Sequence, residues 1–273
     1  MNLIDGKLLA EKIKDKIALE IVSFGGKRPG LAIILVGERP DSTLYVSLKE
    51  KQAKAVGIDT HLYRLPESIG QDELLATIKF LNNDPEVDGI LVQLPLPAQL
   101  ETDVIVNAVN PDKDVDGFTK ENMKRLMGEE KEVGLMPPVY AVIIAMLESI
   151  NCEIANKKIN LIVNSDIFED HLIEILKLQG GIIVPDIKEA DIIITAQGKA
   201  NAINAEMIKD DAIIIDIGIS HDKDGKVVGD VDAKSMENKS GYLSPVPGGV
   251  GPMTIAMAFL NTLIAFNKQH KIQ

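Results

Sequence analysis

Tyr45 and Lys49 lie four positions apart in a stretch, 41–56, whose apolar spacing predicts a helix, directly after the turn-rich run 37–42. At that spacing both side chains share one helix face. A phenol beside an amine can hold and move protons once burial lets the amine release one. Such a pair also occurs on many plain surface helices. Three further stretches stand where apolar runs end, and in open α/β sheets ligands bind at strand ends. Gln93 closes the run 89–93 and leads into Leu94-Pro95-Leu96-Pro97; its amide can donate and accept at once. Asp116 stands in the polar segment Lys113-Asp114-Val115-Asp116-Gly117-Phe118. The run 245–254 places Pro245, Pro247, Gly248, Gly249, Gly251 and Pro252 in a stiff, close-approach turn before a helix. Taken singly, each reads as well as turn chemistry or a solvated loop.

The elements around these residues alternate. Helical periodicity covers 8–22, 41–56 and 71–82, with Gly57 as a C-cap, and short apolar runs at 31–36, 61–65 and 89–93 predict strands. This β-α-β-α-β order predicts a parallel sheet covered by helices. The pattern resumes with helices at 139–150, 168–179 and 253–267 and strands at 158–163, 181–184, 191–195 and 212–216. A charged linker, Gly128-Glu129-Glu130-Lys131-Glu132, with Gly134, Pro137 and Pro138 beyond it, suggests a domain boundary.

The chain has 273 residues, enough for two domains or one large one, with 45% hydrophobic and 26% charged residues, which is ordinary for a globular protein. Aromatic residues make up 4% and there is no Trp, so the core must be aliphatic. A net charge of -12 argues against a nucleic-acid partner. Cys152 is the one cysteine, which excludes an internal disulfide and fits a reducing compartment. The four scattered histidines suggest no metal site. The first residues lack the apolar run of a signal peptide, and no uninterrupted apolar stretch reaches the roughly 20 residues of a membrane span, so a cytoplasmic protein is expected.

Together, in this order and spacing, Tyr45-x-x-x-Lys49, Gln93-Leu94-Pro95-Leu96-Pro97, the Asp114–Asp116 segment and Pro245-Val246-Pro247-Gly248-Gly249-Val250-Gly251-Pro252-Met253-Thr254 resemble the bifunctional methylenetetrahydrofolate dehydrogenase/cyclohydrolase family. Ile215-Asp216-Ile217-Gly218-Ile219 and Val227-Val228-Gly229-Asp230-Val231 extend the resemblance over nearly the whole chain. It implies an α/β fold of two domains with a cleft between them. One is a parallel-sheet folate-binding catalytic domain, 1–133 plus 245–273, and the other a Rossmann-like domain, 134–244. It implies Lys49 as general acid/base, Tyr45 against the pterin, Gln93 on Lys49 and Asp116 on the pterin's amino groups. Leu94, Pro95, Pro245, Gly248, Gly249 and Pro252 would line the folate pocket. Tetrahydrofolate would be the substrate carrier, NADP or NAD the cofactor, and a homodimer through the second domain the assembly. The chemistry suits these roles: water attacks an amidinium-like methenyl carbon, and one amine near neutrality can take a proton from water and return it to the departing ring nitrogen.

The second domain departs from the pattern. Where the family has Gly-Arg-Ser-x-x-Val-Gly-x-Pro after a strand, this chain has Val163-Asn164-Ser165-Asp166-Ile167-Phe168-Glu169-Asp170. Carboxylates thus stand where a diphosphate would sit. The following connection is shorter by about ten residues than the family's usual one, and Pro137-Pro138-Val139-Tyr140 replaces a Pro-Cys-Thr-Pro signature. Asn164, Ser165, Asp166 and Ile219 occupy the family's cofactor positions. Asp186 or Asp191 could meet a ribose hydroxyl. The expectation is therefore a cyclohydrolase whose dehydrogenase activity is weak or absent. A fully bifunctional enzyme with atypical cofactor binding, and a folate-binding protein without catalysis, remain open alternatives.

Overall fold

The computed structural model describes residues 1–128 and 134–272. In chain order its elements are β1 (Asn2–Leu3), α1 (Gly6–Ser23), β2 (Gly30–Val36), α2 (Pro40–Val56), β3 (Asp59–Leu65), α3 (Gln71–Asn83), β4 (Gly89–Val92), α4 (Thr102–Asn107), α5 (Lys120–Leu126), α6 (Pro138–Ser149), β5 (Lys158–Val163), α7 (Asp166–Leu178), β6 (Ile182–Ile183), β7 (Ile192–Ala196), β8 (Ile213–Asp216), β9 (Ser220–His221), β10 (Val227–Val228), β11 (Tyr242–Leu243) and α8 (Val250–His270). Contacts divide the chain into two compact units.

The first unit comprises Lys12–Pro138 and Ile255–Gln273. Its sheet runs β3-β2-β4, with both pairings parallel. All seven residues of β2 are buried, as a central strand covered on both faces requires. Successive side chains of a strand point to opposite faces. Leu31, Ile33 and Leu35 accordingly pack with Ile17 and Ile21 of α1, Val46, Ala53 and Val56 of α2, and Ile255, Phe259 and Leu263 of α8. Ala32, Ile34 and Val36 pack on the other face with Leu74, Ile78 and Leu81 of α3 and Ile105 of α4. By length and composition α8 could cross a membrane, but 67% of its apolar window is buried within the protein, so it is a core helix.

The second unit comprises Met1–Glu11 and Val139–Thr254. Its sheet has the order β1-β11-β8-β7-β5-β6, parallel throughout. The chain runs from β5 outward to β6 and then returns to β7 on the other side of β5. That reversal makes the gap between β5 and β7 the switch point of a doubly wound sheet.

The units differ from the expected ranges at both ends. Met1–Glu11 falls in the second unit because Asn2 N–H donates to Gly241 O (2.9 Å) and Ile4 N–H to Leu243 O (2.9 Å), seating β1 beside β11. The turn 245–254 also falls there, and only from Ile255 onward does α8 count with the first unit. Most of the expected linker, residues 129–132, lies outside the described residues, as does one side of the boundary drawn at 133/134. The strands expected at 158–163 and 191–195 form nearly as placed, whereas that expected at 181–184 shrinks to Ile182–Ile183. The two-residue strands β1, β9, β10 and β11 and the short helices α4 and α5 are too brief to show a period, and sequence patterning did not reveal them.

Candidate active site

Pro40 opens α2 at its first turn, where a missing N–H costs nothing, and Gly57 ends it in the left-handed conformation at φ 91°. The buried stripe of this helix is Ser42, Val46, Lys49, Ala53 and Val56. Lys49 therefore occupies a core-facing position in an otherwise small or apolar row, and only 8% of it is exposed. Its Nζ donates to Gln93 Oε1 at 3.1 Å and lies 5.4 Å from the centre of the Tyr45 ring, within cation–π range. Tyr45 itself is 36% exposed, so one part of the ring meets Lys49 and another meets solvent.

Gln93 is held from two sides. Its backbone N–H donates to Ile34 O (2.9 Å), continuing the β2–β4 ladder by one residue, and its Nε2 donates to Leu94 O (2.8 Å). That second bond turns Oε1 toward Lys49. Leu94-Pro95, a cis peptide, carries the chain away from the strand end.

Asp116 reaches the same edge through a short extension of the sheet. Ile90 bridges Asp114 in parallel, with Ile90 N–H donating to Lys113 O at 2.6 Å, which sets Asp116 level with Val92. Asp114 is committed to the loop: its carboxylate accepts from Gly117 N–H (2.9 Å), Thr119 N–H (2.8 Å) and Asn122 Nδ2 (3.2 Å). Gly117 sits at φ 69°, and a side chain there would strike the backbone of residues 135–137. Lys113 points elsewhere, its Nζ donating to Asp84 O (2.8 Å) and Leu81 O (3.3 Å) at the end of α3. From α8, the buried Asn261 donates to Val115 O and Met136 O, each at 2.8 Å.

The electrostatics suit proton transfer. Burial pushes the Lys49 amine below its ordinary range, and the Asp116 charge partly offsets this. Burial pushes Asp116 up to about 6, with Lys49 pulling it down and Asp114 pushing it up. Both groups are thus shifted toward neutrality from their ordinary values.

The structure brings together Tyr45, Lys49, Gln93 and Asp116, with Leu94 and Pro95 following Gln93 directly. Pro245, Gly248, Gly249 and Pro252 belong to the turn and helix start of the second unit. There Lys7 N–H donates to Gly248 O (3.1 Å), Gly248 adopts φ 108°, and the Gly249 carbonyl approaches Gly6 so closely that only glycine fits. Asn164, Ser165 and Asp166 form the exposed turn from β5 into α7, and Ile219 is 63% exposed beyond β8. Asn164 Nδ2 donates to Gln197 O (3.1 Å), and Ser165 Oγ accepts the Phe168 N–H (3.4 Å) as the helix cap. Asp186 follows β6 and accepts the Lys188 N–H (2.9 Å). Asp191 lies before β7, away from the strand ends where ligands sit, and is bound to Lys209 and the Lys158 N–H. The suggestion that Asp191 meets a ribose is thereby corrected.

Sequence reasoning gave no role to Asp114, Asn122 or Asn261, which fix the Asp116 loop. The signal was present for Asn261, a polar residue inside an apolar helix. Nor did it see that Asp216 and Asp230 interlock. Asp216 accepts from the N–H groups of Gly218 (2.9 Å), Asp230 (3.2 Å) and Val231 (2.9 Å). Asp230 accepts from Thr195 Oγ1 (2.7 Å) and the N–H groups of Gln197 (2.6 Å) and Lys199 (2.8 Å). Burial pushes Asp216 up to about 6.

Residues 4–116 match the family model for the catalytic domain of tetrahydrofolate dehydrogenase/cyclohydrolase, and residues 137–270 match that for its NAD(P)-binding domain. The chain is 41% identical over 277 residues to the bifunctional protein FolD of Nautilia profundicola, covering 97% of each. It superposes on the crystal structure of the bifunctional enzyme FolD, a methylenetetrahydrofolate dehydrogenase/cyclohydrolase from Campylobacter jejuni, with a TM-score of 0.93 and 38% identity, covering 98% of this chain and 99% of that one. Trypanosoma brucei FolD, solved in complex with NADP cofactor and an inhibitor, superposes with a TM-score of 0.91 at 29% identity, covering 98% of each chain.

Proposed function

The chain is an enzyme of the tetrahydrofolate dehydrogenase/cyclohydrolase family, and from that premise we propose that its Lys49 site hydrolyses 5,10-methenyltetrahydrofolate to 10-formyltetrahydrofolate. The observation that carries this reading is a buried amine, lowered in pKa and hydrogen-bonded to Gln93, beside a carboxyl raised to about 6. Water adds to the methenyl carbon and Lys49 takes one of its protons; the carbon–nitrogen bond then breaks as Lys49 returns that proton to the departing nitrogen, and the remaining hydroxyl proton leaves to solvent as the formyl carbonyl forms. Gln93 keeps Lys49 in place. The outer part of the Tyr45 ring stacks on the pterin, and Asp116 accepts from its paired N–H donors. Leu94 and Pro95 line the folate pocket in this reading. Decay of methenyl absorbance on adding purified protein tests it; a rate equal to that of buffer sinks it.

The comparisons speak for a second activity of the same site, oxidation of 5,10-methylenetetrahydrofolate. Curated relatives are called bifunctional, and the second unit matches an NAD(P)-binding domain. Appearance of reduced nicotinamide absorbance with methylenetetrahydrofolate and either NAD or NADP tests this activity. At the turn from β5 into α7, however, the residues of this chain do not fit a dinucleotide's diphosphate. Asp166 and Glu169 stand in the first helical turn, and no glycine opens the backbone between Val163 and Asp170. The assembly proposed is a cytoplasmic homodimer joined through the second unit. The edge strand β6, with Ile182 49% exposed, offers it a surface, and sedimentation equilibrium checks it.

A further inference from the structure

We infer that the dinucleotide crevice of the second unit is closed in this chain, so that NAD and NADP bind far more weakly than in relatives of the same fold. The inference rests on the reading of Lys49 as a hydrolytic site only in naming which activity is left. In a doubly wound sheet a dinucleotide lies across the switch point, its diphosphate against the N–H groups that open the following helix. Here the switch point lies between β5 and β7.

Each feature of that place works against an anion. The Asn164 side chain, just past β5, reaches to the Gln197 carbonyl just past β7 and ties the two lips of the crevice together. Gln197 is itself fixed by its N–H bond to the buried Asp230, so the tie has a rigid far end. At the head of α7, Ser165 Oγ already takes the Phe168 N–H, one of the donors a phosphate would use. Asp166 and Glu169 load the positive end of the helix dipole with the chain's own negative charge. Asn164 and Ser165 carry side chains where a close backbone approach needs glycine. Asp186, at the place where an acid would meet the ribose, accepts the Lys188 N–H in its own turn.

Calorimetric titration of the full chain with NAD and with NADP, with and without Mg2+, tests this, with the Campylobacter jejuni enzyme as reference. The expected dissociation constants are at least tenfold above those of the reference. A value within tenfold for either nucleotide, with or without Mg2+, overturns the inference. The variant Asp166→Asn/Glu169→Gln separates charge from shape. It is expected to bind inorganic pyrophosphate about tenfold more tightly than the parent, and equal affinity overturns the charge part of the argument. Methenyl hydrolysis is assayed on the same preparation. Its absence would sink the Lys49 reading while leaving the nucleotide result to stand on its own heats.

Discussion

Two strand-to-helix junctions, each at the carboxyl edge of a parallel sheet, treat charge in opposite ways. After β2, the chain puts Lys49 on the buried stripe of α2, against an amide oxygen and near a carboxyl that is itself partly buried. After β5, it puts Asp166 and Glu169 at the head of α7, beside a serine cap. The first arrangement works against stability, because burial disfavours the ammonium. The second favours stability, because acids at a helix start lower its energy. The same topological position thus holds a buried, ionisable amine in one unit and a helix N-cap in the other. What marks the first junction as the proposed reactive one is an ionisable group kept where folding alone would not keep it.

The largest effect should come from Lys49→Met, which keeps the length of the side chain but removes the amine. Methenyl hydrolysis should fall by about 10²–10⁴-fold, the usual range for a lost acid/base group. Thermal stability should hold or rise, and a collapse in melting temperature would show that Lys49 is structural after all.

Asp116→Asn comes next, read as a pH profile. Asp116 is raised from 3.8 to about 6, so wild-type hydrolysis should decline as pH falls through about 6. The variant should lose that acid limb. Because the Asp116 charge raises Lys49, removing it should also move the Lys49 limb to lower pH. A carboxyl raised on folding contributes stability below its free range and loses that contribution as pH rises through its folded value. The variant should therefore match or exceed wild type in stability at pH 8. An unchanged profile would remove Asp116 from the chemistry.

Asp216→Ala should act on stability instead. It leaves the N–H groups of Gly218, Asp230 and Val231 without their acceptor, at a cost of about 3 kcal/mol in urea unfolding. A change below about 0.5 kcal/mol would mean that water replaces the carboxylate easily.

Smallest of all is Asp166→Asn/Glu169→Gln. It should lower stability by roughly 0.3–1 kcal/mol per charge without altering hydrolysis. A gain in stability would reverse the contrast between the two junctions.

Much of the first unit is legible in the sequence. The apolar run of β2, the span of α2 and its glycine end all form as the residues suggest. Even the burial of Lys49 can be read from its place in the row Ser42, Val46, Ala53 and Val56. The division of labour between Asp114 and Asp116 cannot. Both are acids in one loop, and only the bridge of Asp114 to Ile90 decides which is spent on backbone donors and which faces Lys49. The interlocked Asp216 and Asp230 were hidden for a similar reason: the antiparallel β9–β10 pair folds the chain back and brings Asp230 against the end of β8.

The pairing of β1 with β11 makes the second unit discontinuous along the chain. During synthesis Asn2–Leu3 emerges long before Tyr242–Leu243 exists, so β1 must wait for β11 before it can dock. Closing so long a loop is slow, though its entropic cost grows only gradually with length. A recombinant fragment of residues 139–254 would leave β11 as an open sheet edge, prone to association. A synthetic peptide of residues 1–11 added in trans should cap that edge by strand complementation.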